Sequence, residues 1–206
     1  MKNFLDILKR NNSGIGFNSN SNHPNDKLLI FGKADNIDNE DIFKCDAYIY
    51  SKKPTKSSNY TGKFISKEDQ IEQINKTDFI VINKTSDVEF NLFSYDNAIG
   101  LIINEKINEE RQNTIESFDF DFLIYDIAID SYNLEDIFKI KDTINSIHTN
   151  WILNIQYINF DHKNLQYIYD LGFAGILLDL STMNSKTFID FKSKIAKIED
   201  RKNDKF

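Results

Sequence analysis

The chain is poor in the residues that most often announce chemistry: its 206 residues include one cysteine, three histidines, one tryptophan, two prolines and seven glycines. A single cysteine, Cys45, excludes an intramolecular disulfide and fits a reducing compartment. It stands just before a predicted buried strand with no histidine near it in sequence, so it reads as a packed thiol rather than a nucleophile. The histidines, His23, His148 and His162, fall in a loop, at a helix end and at a helix start. That spacing builds no metal cluster and suits solvent-exposed rings. The glycines stand at 14, 16, 32, 62, 100, 172 and 175 and make no phosphate-cradling loop. Gly14-Ile15-Gly16 is followed by Ser19 where a dinucleotide fingerprint needs glycine, and the run opens no long helix.

Long apolar runs and basic patches are missing too. No stretch approaches the roughly 20 apolar residues that span a bilayer. Met1 to Arg10 carries apolar residues at helical spacing broken by charge, not the continuous core of a signal peptide. Cytoplasmic residence is the expectation. A formal net charge of -7 and a pI near 5.0 give a field that repels nucleic acid and anionic lipid. Basic residues are scattered among acids, as from Lys192 to Lys205. Neither nucleic acid nor membrane is expected as a partner.

What the chain has is a recurring phrase, an Asp or small residue followed by a short apolar run. It reads Asp46-Ala47-Tyr48-Ile49-Tyr50-Ser51, Asp78-Phe79-Ile80-Val81-Ile82-Asn83, Asp121-Phe122-Leu123-Ile124-Tyr125-Asp126 and Ala174-Gly175-Ile176-Leu177-Leu178-Asp179. With looser copies at 98–104 and 150–156, the anchors at 46, 78, 98, 121, 150 and 174 lie 32, 20, 23, 29 and 24 residues apart. Each interval is the length of one strand plus one helix. With 40% hydrophobic residues, a chain of this length buries one core, so residues 1–206 are expected to form a single domain, with a helix within 1–13 and a frayed tail at 200–206.

The pattern predicts an amphipathic helix over 3–11, with Phe4, Ile7 and Leu8 on one face, then strands at 14–17 and 27–32, a short helix at 36–44 and a strand at 47–50. Ser51 to Thr61, with Pro54, reads as a surface excursion or a lid. Ser66 and Asp69 match a capping pattern for a helix leading to a strand at 79–83. Residues 85–97 leave room for only a stunted helix. Strands at 99–104, 122–127, 151–155 and 175–180 then alternate with helices at about 106–117, 133–148, 161–171 and 185–199. Strands apolar on both faces, joined by helices, are parallel and covered on both sides. Eight strands are countable if 14–17 is admitted, which predicts a compact, partly degenerate (β/α)8 barrel. The weak first strand and the stunted helix keep an open doubly wound sheet as the alternative.

In a parallel barrel, function sits where strands end and helices begin. Ser51, Asn83, Asp126 and Asp179 each lie five residues after an anchor, and period-two geometry puts them on one face with Ile49, Val81, Ile124 and Leu177. If that face points inward, the four ring the mouth, joined by Gly32 or Lys33, by Asn104 with Glu105, and by Gln156. Asp126 and Asp179 are the candidate acid–base or cation-holding pair. Lys84 and Lys33 are candidate amines for a Schiff base or an anionic group. The competing reading is that strands merely end in polar residues.

The phrases Lys76-Thr77-Asp78-Phe79-Ile80-Val81-Ile82 and Leu171-Gly172-Phe173-Ala174-Gly175-Ile176-Leu177-Leu178-Asp179 resemble the helix-end, glycine, strand passages of compact metabolic barrels. That group includes phosphoribosylanthranilate isomerase, thiamine-phosphate synthase and small aldolases, and the likeness of rhythm covers most of 27–197. It implies a (β/α)8 enzyme of lyase or isomerase type acting on a small carboxylate or carbonyl metabolite. The chain departs from the group at 156–161 and 180–185, loops that carry no glycine and so lack its phosphate grip. No cofactor is indicated. A barrel without chemistry, serving as a binding or assembly module, is the second reading. The segment 134–148, with Leu134, Ile137, Phe138, Ile140 and Ile144, carries more apolar residues than one buried stripe needs. Packing against two neighbours or a homodimer contact would each account for that excess.

Overall fold

The structure, a computed structural model, describes residues 4–11, 28–34, 43–50, 59–66, 74, 76–88, 90–94, 96–104, 107–126, 134–155 and 160–199. Eight strands, β1 (Leu29–Ala34), β2 (Ala47–Tyr50), β3 (Tyr60–Ile65), β4 (Phe79–Ile82), β5 (Ala98–Ile103), β6 (Phe122–Tyr125), β7 (Asn150–Ile155) and β8 (Gly175–Asp179), pair in chain order. All pairs are parallel, and β1 pairs with β8 to close the barrel. Closure rules out the open sheet. The helices among the described residues are α1 (Phe4–Asn11), α2 (Glu109–Glu116), α3 (Leu134–Ser146), α4 (His162–Leu171) and α5 (Ser185–Ile195).

Two expectations need correction. The predicted strand at 14–17 lies outside the described residues, and the eighth strand of the ring is β3, whose first residues fall inside the predicted loop 51–61. Tyr-Thr-Gly-Lys-Phe-Ile is a poor apolar run because Gly62 is held small by a neighbour and Lys63 is buried on the outer face. Between β4 and β5 the crossover is not a full helix: the described part holds only 3-10 turns at Thr85–Asp87 and Phe90–Ser94. The predicted helices at 36–44 and after Ser66 fall mostly outside the described residues.

The inner face is the predicted one. Leu29, Phe31, Ala47, Ile49, Phe79, Val81, Ala98, Phe122, Ile124, Ile152 and Leu177 form one interior cluster. The register stacks them in layers drawn from alternate strands, with Phe31, Gly62, Gly100 and Ile152 in one and Ile49, Val81, Ile124 and Leu177 above it. Large and small alternate for a steric reason. A Cβ on Gly62 would lie 2.1 Å from the Phe79 ring, and one on Gly100 would lie 2.2 Å from the Phe122 ring. Phe4 of α1 closes the amino-terminal end of the barrel. Its ring stacks on Phe79 at 4.2 Å between centroids and meets Phe31, Phe122 and Tyr60 edge-on at 5.7 to 6.1 Å. Leu8, one helical turn later, is fully buried in the same cluster.

The recurring anchor Asp has a structural task at that end. Asp46 accepts the backbone N–H of Ile30 at 2.8 Å while donating its own N–H to the Ile30 carbonyl at 2.9 Å. Asp78 repeats this with Thr61 and Asp121 with Ile99, each side-chain bond 2.8 Å. Each carboxylate thus satisfies an N–H at the start of the preceding strand, where the ladder has run out. The outer face packs a larger apolar cluster under the helices. Gly172, in the left-handed region with φ 104°, ends α4 and turns the chain into β8. On α3, Ile140 and Ile144 are buried, whereas Leu134 and Phe138 are 63% and 54% exposed, so packing between neighbours does not account for those two.

Candidate functional site

The carboxyl ends of the strands carry two groups of polar side chains. The first spans four adjacent strands. Lys33 on β1, Asp179 on β8, Asn154 on β7 and Asp126 directly after β6 continue the inward-facing positions above Leu177, Ile152 and Ile124. Phe64 and Ile102, half-buried and packed on the interior cluster, floor the mouth beside them.

Asp126 Oδ1 accepts from the Asn154 amide at 2.6 Å, and its Oδ2 has no partner among the described residues. Asp179 is divided between two tasks. Its Oδ1 accepts from the Ser181 backbone N–H at 3.0 Å and from the Ser181 hydroxyl at 2.5 Å, capping the 3-10 turn Leu180–Thr182. Its Oδ2 faces Lys33 Nζ at 3.7 Å, with both side chains more than two-fifths exposed. A pair this open and long contributes at most about 1 kcal/mol to folding, so it is poised rather than locked.

The second group lies on the β4–β5 side. Asn83, Lys84 and Asn104 line a cleft of about 210 Å³ with Thr85, Ser86 and Arg111. Lys84 and Arg111 have no ion-pair partner among the described residues. The candidate residues are therefore divided: Lys33, Asp126 and Asp179 come together over the mouth, whereas Asn83, Lys84 and Asn104 share the lateral cleft. Ser51, Glu105 and Gln156 lie outside the described residues. Gly32 points outward, where a Cβ would lie 2.6 Å from Leu180, so β1 offers Lys33 to the mouth.

Asn154 and Arg111 were not among the sequence candidates. Asn154 was findable, two residues after the inward Ile152, but it sits inside a strand rather than after one. Arg111 lies in the first turn of α2, a helix that buries only Ile115 among its residues, and nothing in sequence marks it as facing a cleft.

Other expectations resolve plainly. Burial, aided by the Asp46 carboxylate, pushes the Cys45 thiol up to about 12, which removes it as a nucleophile. His148 is exposed, but His162 is half-buried at the start of α4, with its Nδ1 enclosed and unbonded, contrary to the solvent-exposed reading. His23 lies outside the described residues. Among the described residues, no group of three or more His, Cys, Asp or Glu side chains is arranged to hold a metal, and no helix is long and apolar enough to cross a membrane.

No known protein-family profile matches the chain. No curated protein matches it by sequence. Solved structures do match. The (S)-3-O-geranylgeranylglyceryl phosphate synthase from Thermoplasma acidophilum aligns over 96% of this chain and 100% of its own, with a TM-score of 0.60 and 9% identity. N-(5'-phosphoribosyl)anthranilate isomerase from Pyrococcus furiosus covers 83% of this chain and 100% of its own, at TM-score 0.58 and 10% identity. Thiamine phosphate pyrophosphorylase from the same organism covers 84% and 98%, at 0.53 and 11%. At such identities the likeness is one of fold: the chain is a (β/α)8 barrel, similar in architecture to enzymes of small-molecule metabolism.

Proposed function

We propose that this barrel is an enzyme of the lyase or isomerase type, acting on a small carbonyl or carboxylate compound bound at the carboxyl rim of its strands. One observation carries the reading: Lys33, Asp179 and Asn154 on β1, β8 and β7 and Asp126 directly after β6 gather above an apolar floor, the first two open to solvent and the last two half-buried. A substrate carbonyl or carboxylate oxygen is held by the Lys33 ammonium, displacing it from Asp179. The unpartnered Oδ2 of Asp126 takes a proton from the carbon next to that carbonyl, and Asn154 holds the other oxygen in place. The enolate charge develops beside Lys33, and the proton returns to a neighbouring carbon in an isomerisation or to the leaving group in a cleavage.

The test is a thermal-shift screen against small carbonyl and carboxylate metabolites, with and without divalent metals. A ligand present at 100 times its dissociation constant stabilises by about 2.7 kcal/mol, and that shift should vanish in Lys33→Gln and shrink in Asp126→Asn. A melting temperature unmoved by every compound would leave the barrel as a binding or assembly module.

A further inference from the structure

Among the described residues, the crossover after β4 lays only 3-10 turns over the outer sheet face. Two clefts meet there. The polar one, of about 210 Å³, carries Lys84 and Arg111. The second, of about 320 Å³, is lined chiefly by apolar side chains, among them Phe93, Phe118 and Phe120, whose rings pack with centroids 5.3 to 6.1 Å apart. Thr85, Leu101, Arg111 and Ile115 line both, so the clefts adjoin at the Arg111 side chain.

In a chain with 32 acidic against 25 basic residues, two cations facing one cleft without an acidic partner among the described residues are out of character. Glu109 and Glu110, their nearest acidic neighbours on α2, are exposed and outside the lining. An anion restores the balance, and a bare anion would leave the aromatic half empty.

We propose that this lateral cleft binds an amphiphilic carboxylate, a medium-chain or aryl-substituted acid, with its carboxylate between Arg111 and Lys84 and its apolar body against Phe93, Phe118 and Phe120. A guanidinium offers the planar fork that a carboxylate matches, and Lys84 adds a second positive charge. The site adjoins the mouth, since Ile102 lines the polar cleft and also packs on the interior cluster, but it does not rest on the chemistry proposed there.

Calorimetric titration of the full chain with octanoate and 4-phenylbutyrate tests it, with octanamide and inorganic phosphate as controls. Both acids should bind, and octanamide should bind at least about tenfold more weakly, as expected for losing a charge-assisted contact. Arg111→Gln and, independently, Lys84→Gln should weaken octanoate by a similar factor with little change in the melting temperature of the unliganded protein, since Lys84 is exposed and the half-buried Arg111 has no ion-pair partner among the described residues. Asp126→Asn should change nothing. The proposal is overturned if octanamide binds as well as octanoate, if phosphate binds as tightly as either acid, or if Asp126→Asn abolishes binding while Arg111→Gln does not.

Discussion

The two ends of the barrel use the same residue type in opposite ways. At the amino-terminal end, Asp46, Asp78 and Asp121 each accept a backbone N–H across the sheet, next to an interior filled by Phe4, Phe79 and Phe122. At the carboxyl end, Asp126 meets a side-chain amide and keeps its second oxygen without a partner among the described residues, while Asp179 gives one oxygen to the Ser181 backbone N–H and hydroxyl and turns the other to the Lys33 ammonium. A carboxylate oxygen whose partner is the backbone is committed to the fold. One whose partner is another side chain is available to a ligand, and burial of the surrounding apolar groups is what separates the two cases.

Substitutions should break this contrast with graded severity. The largest effect belongs to the aromatic plug: Phe122→Ala empties a fully buried site and should cost about 3–5 kcal/mol, read as a fall in the denaturant midpoint. Gly100→Ala, with a Cβ forced to 2.2 Å from that ring, should be destabilising alone and partly rescued by Phe122→Leu, a coupling that a double-mutant cycle measures. Next comes the cross-sheet cap. Asp121→Ala leaves the Ile99 N–H without its acceptor and should cost about 1–3 kcal/mol, whereas Asp121→Asn, which keeps an acceptor oxygen, should lose much less.

Cys45 gives a pH-dependent mark of the same end. Its folded-state value of about 12 lies above the thiol's ordinary 9.0, so the neutral form is favoured on folding. The associated stability is fully present below pH 9.0 and declines as pH rises toward about 12, at about 1.4 kcal/mol per pH unit. Cys45→Ala should lack that added slope, and the native thiol should resist iodoacetamide until the protein unfolds. The smallest stability change belongs to the rim: Asp126→Asn should stay within about 0.5 kcal/mol of wild type while reducing the thermal response a rim ligand evokes.

The fold was legible because six of the eight strands are apolar runs at a regular interval, and the period of two correctly identified the inward face from residues such as Val81 and Ile124. β3 escaped because its apolar content depends on partners remote in sequence: Gly62 is required by Phe79, and Lys63 is buried by what covers the sheet. The anchor Asp was visible as a repeat, but its role lies in a bond to the preceding strand, 16 to 22 residues earlier, which no local pattern displays. Grouping of the rim was equally hidden. Asn83 and Asp126 occupy equivalent places in the repeat, yet Asn83 lines a cleft with Lys84 and Arg111 whereas Asp126 bonds Asn154 on the far side of the mouth.

The seat of Phe4 also bears on how the chain reaches its final shape. Its ring contacts are supplied by β1, β3, β4 and β6, segments spread from Phe31 to Phe122. Those four rings come within reach together only once the intervening strands are aligned, so α1, the earliest of the described elements, is placed to dock late. In pulse-labelled refolding, protection of its amide protons should therefore appear no earlier than that of β1, β3, β4 and β6.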